Sequence, residues 1–409
     1  MISVHGDPLG VLGTPDTGGQ CLYIKEIAKE LIHLGCEQVD VYTRRWGGKP
    51  KIEPIANLNN CRVIRIPCGS PDFIPKEELK RYLTEFYSGL KIFMAENAIK
   101  YDIIHTHYWD GGVVGVWMAQ DFQLPQVHTS HSLGAIKQIS MPIGERRDYD
   151  ERIKDEQRIY NASTALIAES QQEKEDLATL YKTSTEKIHI IPAGVDVDWF
   201  SPRGSPSEAK ETLNLKNHTI ILSLGRLDTR KGFDLLIKAL PRINSELDEF
   251  KRQIRCIISA GSRNTLNPTE QKVYNKLMNL CSDLGIKNFQ IIPRVDYDKV
   301  PIWYTAADVF VVPSRYEPFG LVIVEAMACK TPVVATNKGG PPDIITDGVE
   351  GYTVNPEDTN AFASRIVDCI KDPKIQEALR EQARKTVVKK FSWNVVTKMI
   401  HRLYSSILG

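Results

Sequence analysis

At 409 residues, 42% of them hydrophobic and 25% charged, the chain is long enough for two or three domains and can bury a large core. Its 52 Lys and Arg against 51 Asp and Glu leave a formal net charge of +1, which excludes the basic field that gathers nucleic acid or an anionic membrane surface. The eight cysteines, at 21, 36, 61, 68, 256, 281, 329 and 369, form no C-x-x-C pair, and no apolar run approaches the ~18 residues of a membrane helix, so the expectation is a cytoplasmic protein with reduced structural thiols and no signal peptide.

Ile2-Ser3-Val4-His5 is expected to be a short strand, followed by a polar loop with Gly6, Gly10, Gly13, Gly18 and Gly19 and an amphipathic helix over about 21–34. Strand, glycine-rich loop and helix form a phosphate or sugar cradle in a doubly wound sheet, because ligands gather at the carboxyl ends of the strands. The signal is weak alone, since the spacing is not G-x-G-x-x-G and glycines also serve plain loops. Strands are expected at 38–43 and 62–66, with a loop around 46–54 between them.

Ser70-Pro71-Asp72-Phe73-Ile74-Pro75 punctuates the chain before a long helix expected over 76–100. Lys76 at its start runs against the helix dipole, which favours cations at the other end. A solvated lysine is the commoner outcome, a phosphate ligand the alternative. Strands at 102–106 and 126–130 carry His105, His107 and His128, and His131 follows. Four histidines in so short a region could bind zinc, yet no H-E-x-x-H and no cysteine partner accompanies them, so polar contacts at strand ends are expected and no metal. The charged stretch 145–158 reads as a helix with a mostly solvated face of i,i+4 pairs, from which one or two arginines could turn inward to hold a phosphate.

Strands at 165–168 and 188–191 precede a composition shift, Phe200-Ser201-Pro202-Arg203-Gly204-Ser205-Pro206-Ser207, which marks a domain boundary. Asp196-Val197-Asp198 has a D-x-D form, but so do Asp148/Asp150 and Asp296/Asp298, and the pattern carries no weight. A buried strand at 219–224 then opens into Gly225-Arg226-Leu227-Asp228-Thr229-Arg230-Lys231-Gly232 before a helix from Phe233. Arg226 and Lys231 are the cations a pyrophosphate leaving group needs as charge builds on it; two surface cations beside a helix are the plainer alternative. Strands at 255–260 and 289–292 follow, with a polar loop at Gly261-Ser262-Arg263.

The most informative stretch is Ser314-Arg315-Tyr316-Glu317-Pro318-Phe319-Gly320-Leu321-Val322-Ile323-Val324-Glu325-Ala326, fed by a strand at 308–313 and continued by an apolar helical pattern to about Cys329. Pro318 and Gly320 stand where that helix is expected to begin, and free N–H groups with the positive end of the dipole favour an anion there. If the interval were helical, Glu317 and Glu325 would lie roughly 12 Å apart at ~1.5 Å per residue, beyond the about 5 to 9.5 Å of a glycosidase pair. The better reading is a polar ligand across the helix start, with a carboxylate accepting hydroxyl hydrogen bonds at each end: sugar, phosphates, ribose. Strands at 332–335 and 351–354, separated by Gly339-Gly340-Pro341-Pro342-Asp343, and an amphipathic helix at 391–408 complete the chain. Strands alternating with helices imply parallel sheets in both halves.

The E-x7-E arrangement with Pro-Phe-Gly after its first Glu resembles the donor site of the retaining GT-B glycosyltransferases. Asp16-Thr17-Gly18-Gly19-Gln20, Pro75-Lys76-Glu77-Glu78-Leu79 and His131-Ser132-Leu133-Gly134-Ala135-Ile136-Lys137 together are similar to the sucrose-phosphate synthases, the branch whose acceptor is fructose 6-phosphate. The resemblance spans essentially the whole chain. It implies an α/β protein of two Rossmann-like doubly wound domains facing a central cleft: an acceptor-binding domain over 1–198, completed by 393–409 as the last helix crosses back, and a nucleotide-sugar domain over 199–392.

The activity implied is transfer of glucose, with retention, from a nucleoside-diphosphate glucose, UDP-glucose foremost, to fructose 6-phosphate. No covalent carboxylate nucleophile, metal or other cofactor is implied. In that scheme His131, Arg226, Lys231 and Glu317 are the catalytic set. His131 orients the glucose, Gly19 approaches the diphosphate, Arg226 and Lys231 hold it, Glu317 with Phe319, Gly320 and Leu321 holds glucose hydroxyls, and Glu325 holds the ribose. Gly18, Gln20, Lys76, Lys137, Arg152 and Arg158 are the acceptor-side candidates, Arg158 the weakest because a carboxylate on its own helix can claim it. The partners implied are the two substrates and, by association, a separate sucrose-phosphate phosphatase, with no nucleic acid and no membrane. A sucrose synthase using unphosphorylated fructose and a non-catalytic sugar-nucleotide sensor are the rivals; the intact Arg226, Lys231, Glu317 and Glu325 set argues against the sensor.

Overall fold

The computed structural model describes residues 1–11, 16–140, 148–249, 253–262 and 265–409. They divide into two units, Met1–Ala193 with Trp393–Gly409, and Gly194–Ser392. The division falls at 193/194 rather than at the expected 198/199. Val195 N–H donates to the Phe391 carbonyl at 2.8 Å and Val195 bridges Ser392, so 194–198 already belongs to the second unit.

In the first unit β1 (Val39–Arg45), β2 (Ile52–Ile55) and β3 (Leu58–Pro67) form one group, ordered β1-β3-β2, and β4 (Ile104–His107), β5 (Gln126–Thr129), β6 (Ala165–Ala168) and β7 (Ile188–Ile190) form a parallel group in sequence order. Ile2 joins them: its N–H donates to the His105 carbonyl at 2.9 Å, its own carbonyl accepts from His107 N–H at 2.9 Å, and it bridges both Tyr42 and Thr106. The strand expected at 2–5 is thus reduced to a bridge. β2 begins only at the end of the expected loop at 46–54 and runs antiparallel to β3, a departure from all-parallel sheets. It lies at the edge, where Pro54 and a register shift are tolerated. β4, β5 and β6 are buried along their whole lengths, as strands covered on both faces must be.

The helix Gly19–His33 buries Cys21, Tyr23, Ile24, Ile27, Ala28 and Leu31, a stripe at helical spacing. The helix Trp393–Leu408 packs within this unit: the Trp393 ring meets Tyr23 edge-on at 5.7 Å, and the Tyr404 hydroxyl lies 2.6 Å from His105 Nδ1. The single helix expected at 76–100 is two, a 3-10 helix Lys76–Tyr82 and an α-helix Leu83–Glu96.

The second unit holds six strands, β8 (Thr219–Gly225), β9 (Ile254–Ala260), β10 (Phe289–Ile292), β11 (Val309–Val312), β12 (Val333–Thr336) and β13 (Gly351–Val354), all parallel and ordered β10-β9-β8-β11-β12-β13. Its core gathers Ile221, Phe233, Leu236, Ile237, Leu240, Ile258, Val311, Val334, Phe362 and Ile366. Strand order reverses between β8 and β11. At such a switch point the loops after neighbouring strands part and leave room for a ligand at the carboxyl ends, and those two loops are 226–232 and 313–320. Among the described residues no helix is long and apolar enough to cross a membrane.

Candidate functional site

The loops after β8 and β11 are locked together. Gly232 has φ 66°, and a Cβ there would lie 1.9 Å from the Pro313 carbonyl oxygen, so only glycine allows the approach. Arg315 N–H donates to the Arg230 carbonyl at 2.9 Å, and its guanidinium donates to the Thr229 carbonyl at 2.7 Å and to both Asp234 oxygens at 2.9 and 2.7 Å. A fork of this kind fixes orientation as well as distance. It sets Lys231 against Glu317, Nζ to Oε2, at 2.7 Å, and the Ser314 hydroxyl donates to the same oxygen at 2.9 Å.

Glu317 is buried, which by itself would raise its carboxyl, yet Lys231, Ser314 and the charge of Arg226 hold it below the usual carboxylate range. Its Oε1 has no hydrogen bond among the described residues. From below, Glu317 N–H donates to the Lys338 carbonyl at 3.0 Å, and its carbonyl accepts from Gly340 N–H at 2.9 Å. Gly339 has φ 99°, and a Cβ there would lie 2.0 Å from the Glu317 carbonyl oxygen. Arg226 is exposed and makes no hydrogen bond or ion pair among the described residues.

The helix after Glu317 starts later than expected. Gly320, φ 108°, caps Leu321–Ala328, so Pro318 stands outside it and only Glu325 of the two carboxylates is helical. Phe319 is buried, its ring 6.1 Å from that of Phe391. Glu325 is half-buried, accepts from the Tyr304 hydroxyl at 2.9 Å, and has no ion pair among the described residues. Burial pushes its carboxyl up to about 7.

In the first unit Gly18 caps the helix Gly19–His33 without a side-chain bond, and a Cβ at Gly18 would meet nothing within 4 Å. Gln20 turns back to the Ser3 hydroxyl, 3.2 Å away. His131, φ 55°, stands with Nδ1 3.1 Å from Glu169 Oε1 and Nε2 3.1 Å from His107 Nδ1. His105 and His128 make polar contacts as expected, but buried ones. His105 is bonded between the Tyr404 and Thr129 hydroxyls at 2.6 and 2.8 Å, His128 Nδ1 lies 2.8 Å from Thr106 Oγ1, and burial lowers both, His128 to about 3. Among the described residues no three His, Cys, Asp or Glu side chains cluster as metal ligands.

The acceptor-side cations separate into three places. Lys76 is ion-paired with Asp16, and its backbone N–H donates to the same carboxylate at 3.2 Å. Lys137 and Arg152 meet at Tyr108: Lys137 Nζ donates to its hydroxyl at 3.3 Å, Arg152 Nη1 at 2.8 Å. Arg152 is buried, its Nε bonded to Glu156 at 2.7 Å, and Glu156 raises its pKa although burial opposes this. Arg158 stays 80% exposed, 3.6 Å from Asp155 on its own helix and apart from Lys137 and Arg152. In the helix Asp150–Ala162 the residues Asp150, Glu151, Lys154 and Arg158 stay exposed, while Arg152 turns inward as expected, buried with Asp155, Glu156, Ile159 and Tyr160. Gly13, the start of the expected 145–158 helix and Arg263 lie outside the described residues.

Sequence reasoning missed Ser314, Arg315 with Asp234, Gly339, Tyr108 and Glu169. Two had a usable signal: Tyr108 and Glu169 immediately follow β4 and β6, at the carboxyl ends where doubly wound sheets place their sites.

Two family descriptions match the chain, Glycosyltransferase Family 4 over residues 17–199 and Glycosyl transferases group 1 over residues 205–386. A D-inositol 3-phosphate glycosyltransferase of Corynebacterium jeikeium is 34% identical over 414 residues, covering 100% of this chain and 96% of its own. A mannosylfructose-phosphate synthase of Agrobacterium fabrum is 33% identical over 414 residues, covering 98% and 89%. Among solved structures, a sucrose-phosphate synthase from Thermosynechococcus elongatus superposes with a TM-score of 0.86 at 32% identity, over 99% of this chain and 98% of that one.

Proposed function

Because this chain belongs to the glycosyl transferases group 1 family of GT-B fold, we propose that it transfers glucose, with retention, from a nucleoside-diphosphate glucose, UDP-glucose foremost, to fructose 6-phosphate, giving sucrose 6-phosphate. The observation that carries the reading is the Lys231–Glu317–Ser314 cluster at the switch point of the second unit. In this reading Glu317 Oε1 accepts a glucose hydroxyl, with the backbone of Phe319, Gly320 and Leu321 beside it. Arg226 and Lys231 offset the charge that gathers on the diphosphate as its bond to the anomeric carbon breaks. Glu325 takes the ribose hydroxyls. No metal is needed, because both cations are side chains.

For the acceptor phosphate the proposed pair is Lys137 and Arg152 at Tyr108, supported by their convergence. Lys76 would first have to give up Asp16. The printed names of the relatives support a phosphorylated acceptor, since inositol 3-phosphate, mannosylfructose-phosphate and sucrose-phosphate all carry a phosphate. The same names favour a second reading, transfer to a phosphorylated inositol, on the strength of 34% identity over the full chain. Release of free sucrose would then fall to a separate phosphatase in the first reading and would not arise in the second.

Incubating the protein with UDP-glucose and equal amounts of fructose 6-phosphate, fructose and inositol 3-phosphate, and identifying the products by mass spectrometry, decides between them. Sucrose 6-phosphate as the main product is expected. A glucosylated inositol phosphate would install the second reading, free sucrose would make the protein a sucrose synthase, and no product at all would leave the sensor.

A further inference from the structure

His131 has both ring nitrogens engaged inside the first unit. Nδ1 faces Glu169 Oε1 at 3.1 Å and Nε2 faces His107 Nδ1 at 3.1 Å, with the two imidazoles stacked at 5.3 Å between centroids and 24° between planes. Tyr23 closes the cluster edge-on, 4.9 Å from the His131 ring. A carboxylate oxygen only accepts, so the hydrogen of His131 must sit on Nδ1. In the neutral ring Nε2 is then a lone pair, to which His107 Nδ1 donates. Burial, with neighbouring His105 and His131, holds His107 neutral, which leaves His107 Nε2 bare; that atom is buried and has no hydrogen-bond partner among the described residues. For the neutral His131 ring, the direction of every hydrogen in the chain follows from the carboxylate at one end.

Glu169 is itself held in place. Its backbone N–H donates to Glu173 Oε2 at 2.7 Å, and Glu173 N–H donates to the Ser170 hydroxyl at 3.1 Å, at the start of the helix Gln171–Leu180. Burial, then the charge of Glu169, pushes the Glu173 carboxyl up to about 8.

We propose that Glu169 is a positioning residue that fixes the tautomer and ring plane of His131, as the head of a directed carboxylate–imidazole–imidazole chain ending at His107. The ring is therefore set before any ligand arrives, and the hydrogen bond made by one nitrogen decides what the other can offer. The inference about rate rests on the sugar-transfer reading; the inference about the hydrogens does not.

The test is long-range nitrogen–proton NMR of protein carrying isotope-labelled histidine, with signals assigned through His107→Gln and His131→Asn. The wild-type protein should show both His131 and His107 as the Nδ1–H tautomer. Glu169→Gln keeps the shape but offers an N–H as readily as an oxygen, so the His131 signal should shift toward mixed tautomers and that of His107 should follow. In sugar-transfer kinetics the same variant should lose about tenfold or more in kcat with donor KM within about twofold, the pattern of a misoriented group rather than of lost binding. An Nε2–H His131 in the wild type, or an unchanged His131 signal in Glu169→Gln, overturns the proposal without any assay. A wild-type protein that transfers no sugar would count against the functional reading alone.

Discussion

Lys231 Nζ and Glu317 Oε2 meet at 2.7 Å across 86 residues of sequence, each delivered by a loop at the carboxyl end of a neighbouring strand. Burying an ion pair is costly, and removing one partner leaves the other charge uncompensated. The pair is therefore better explained by what Glu317 and Lys231 do for a ligand than by what they do for stability.

Glu317→Gln should lower turnover by roughly a hundredfold, about the loss from one preorganised polar group in a reacting site, while nucleoside-diphosphate affinity by calorimetry changes little. A loss of nucleotide binding as large as the loss of turnover would remove this carboxylate from the sugar.

Arg226→Ala and Lys231→Ala should each cost about 3 kcal/mol of transition-state stabilisation, read from kcat/KM. They should differ in stability. Arg226 is exposed and makes no ion pair among the described residues, so its removal should lower Tm far less. Lys231→Ala strands the buried Glu317, and Tm should fall. Unchanged rates in both variants would show that neither cation meets the diphosphate.

Glu325 sets a pH dependence. Its folded carboxyl is raised from 4.5 to about 7, by burial against which the Tyr304 hydroxyl works only in part. The folded protein thus holds this proton more tightly than the unfolded chain, and the stability it contributes is complete below the unfolded value and is lost as pH rises through about 7. Glu325→Gln should lie closer to wild type in Tm at about pH 4 and surpass it at about pH 8. Parallel Tm profiles from acid to mild base would mean that the carboxyl is not perturbed.

Lys137→Ala should raise half-saturation for a phosphorylated acceptor roughly ten- to a hundredfold, at about 1.4 kcal/mol per tenfold, with donor half-saturation little changed. Arg152→Ala should do the same and also lower Tm, because the buried Glu156, the Tyr108 hydroxyl and the Ser132 carbonyl each lose a charged donor. Equal weakening of donor and acceptor in Lys137→Ala would put the phosphate elsewhere.

What the sequence announced and what it hid follow from how far each signal reaches. β10, β13 and the start of the helix at Phe233 fall where local pattern places them, because continuous apolar runs between turn residues are a local property. The Glu317 loop was readable for the same reason: Pro318, Gly320 and two carboxylates lie within nine residues, Glu317 to Glu325. Its partners were not. Ser314 is an ordinary serine until it lies 2.9 Å from Glu317, and Gly339 an ordinary loop glycine until the Glu317 carbonyl closes on it. Arg152 was among the expected inward cations, but its neighbours were hidden, because its burial is made by Tyr108, Ser132 and Glu156, and a helix of mixed charge gives no periodic sign of such a pocket.

The sharpest measurement is the ratio of kcat/KM for fructose 6-phosphate to that for fructose, with UDP-glucose saturating and the product's anomeric configuration read by NMR. Two charge-assisted hydrogen bonds to the phosphate, at about 1.5 to 3 kcal/mol each, predict a ratio of roughly a hundredfold or more, with the glucose configuration of the donor retained in sucrose 6-phosphate. A ratio near unity, or an inverted anomeric centre, would contradict the account.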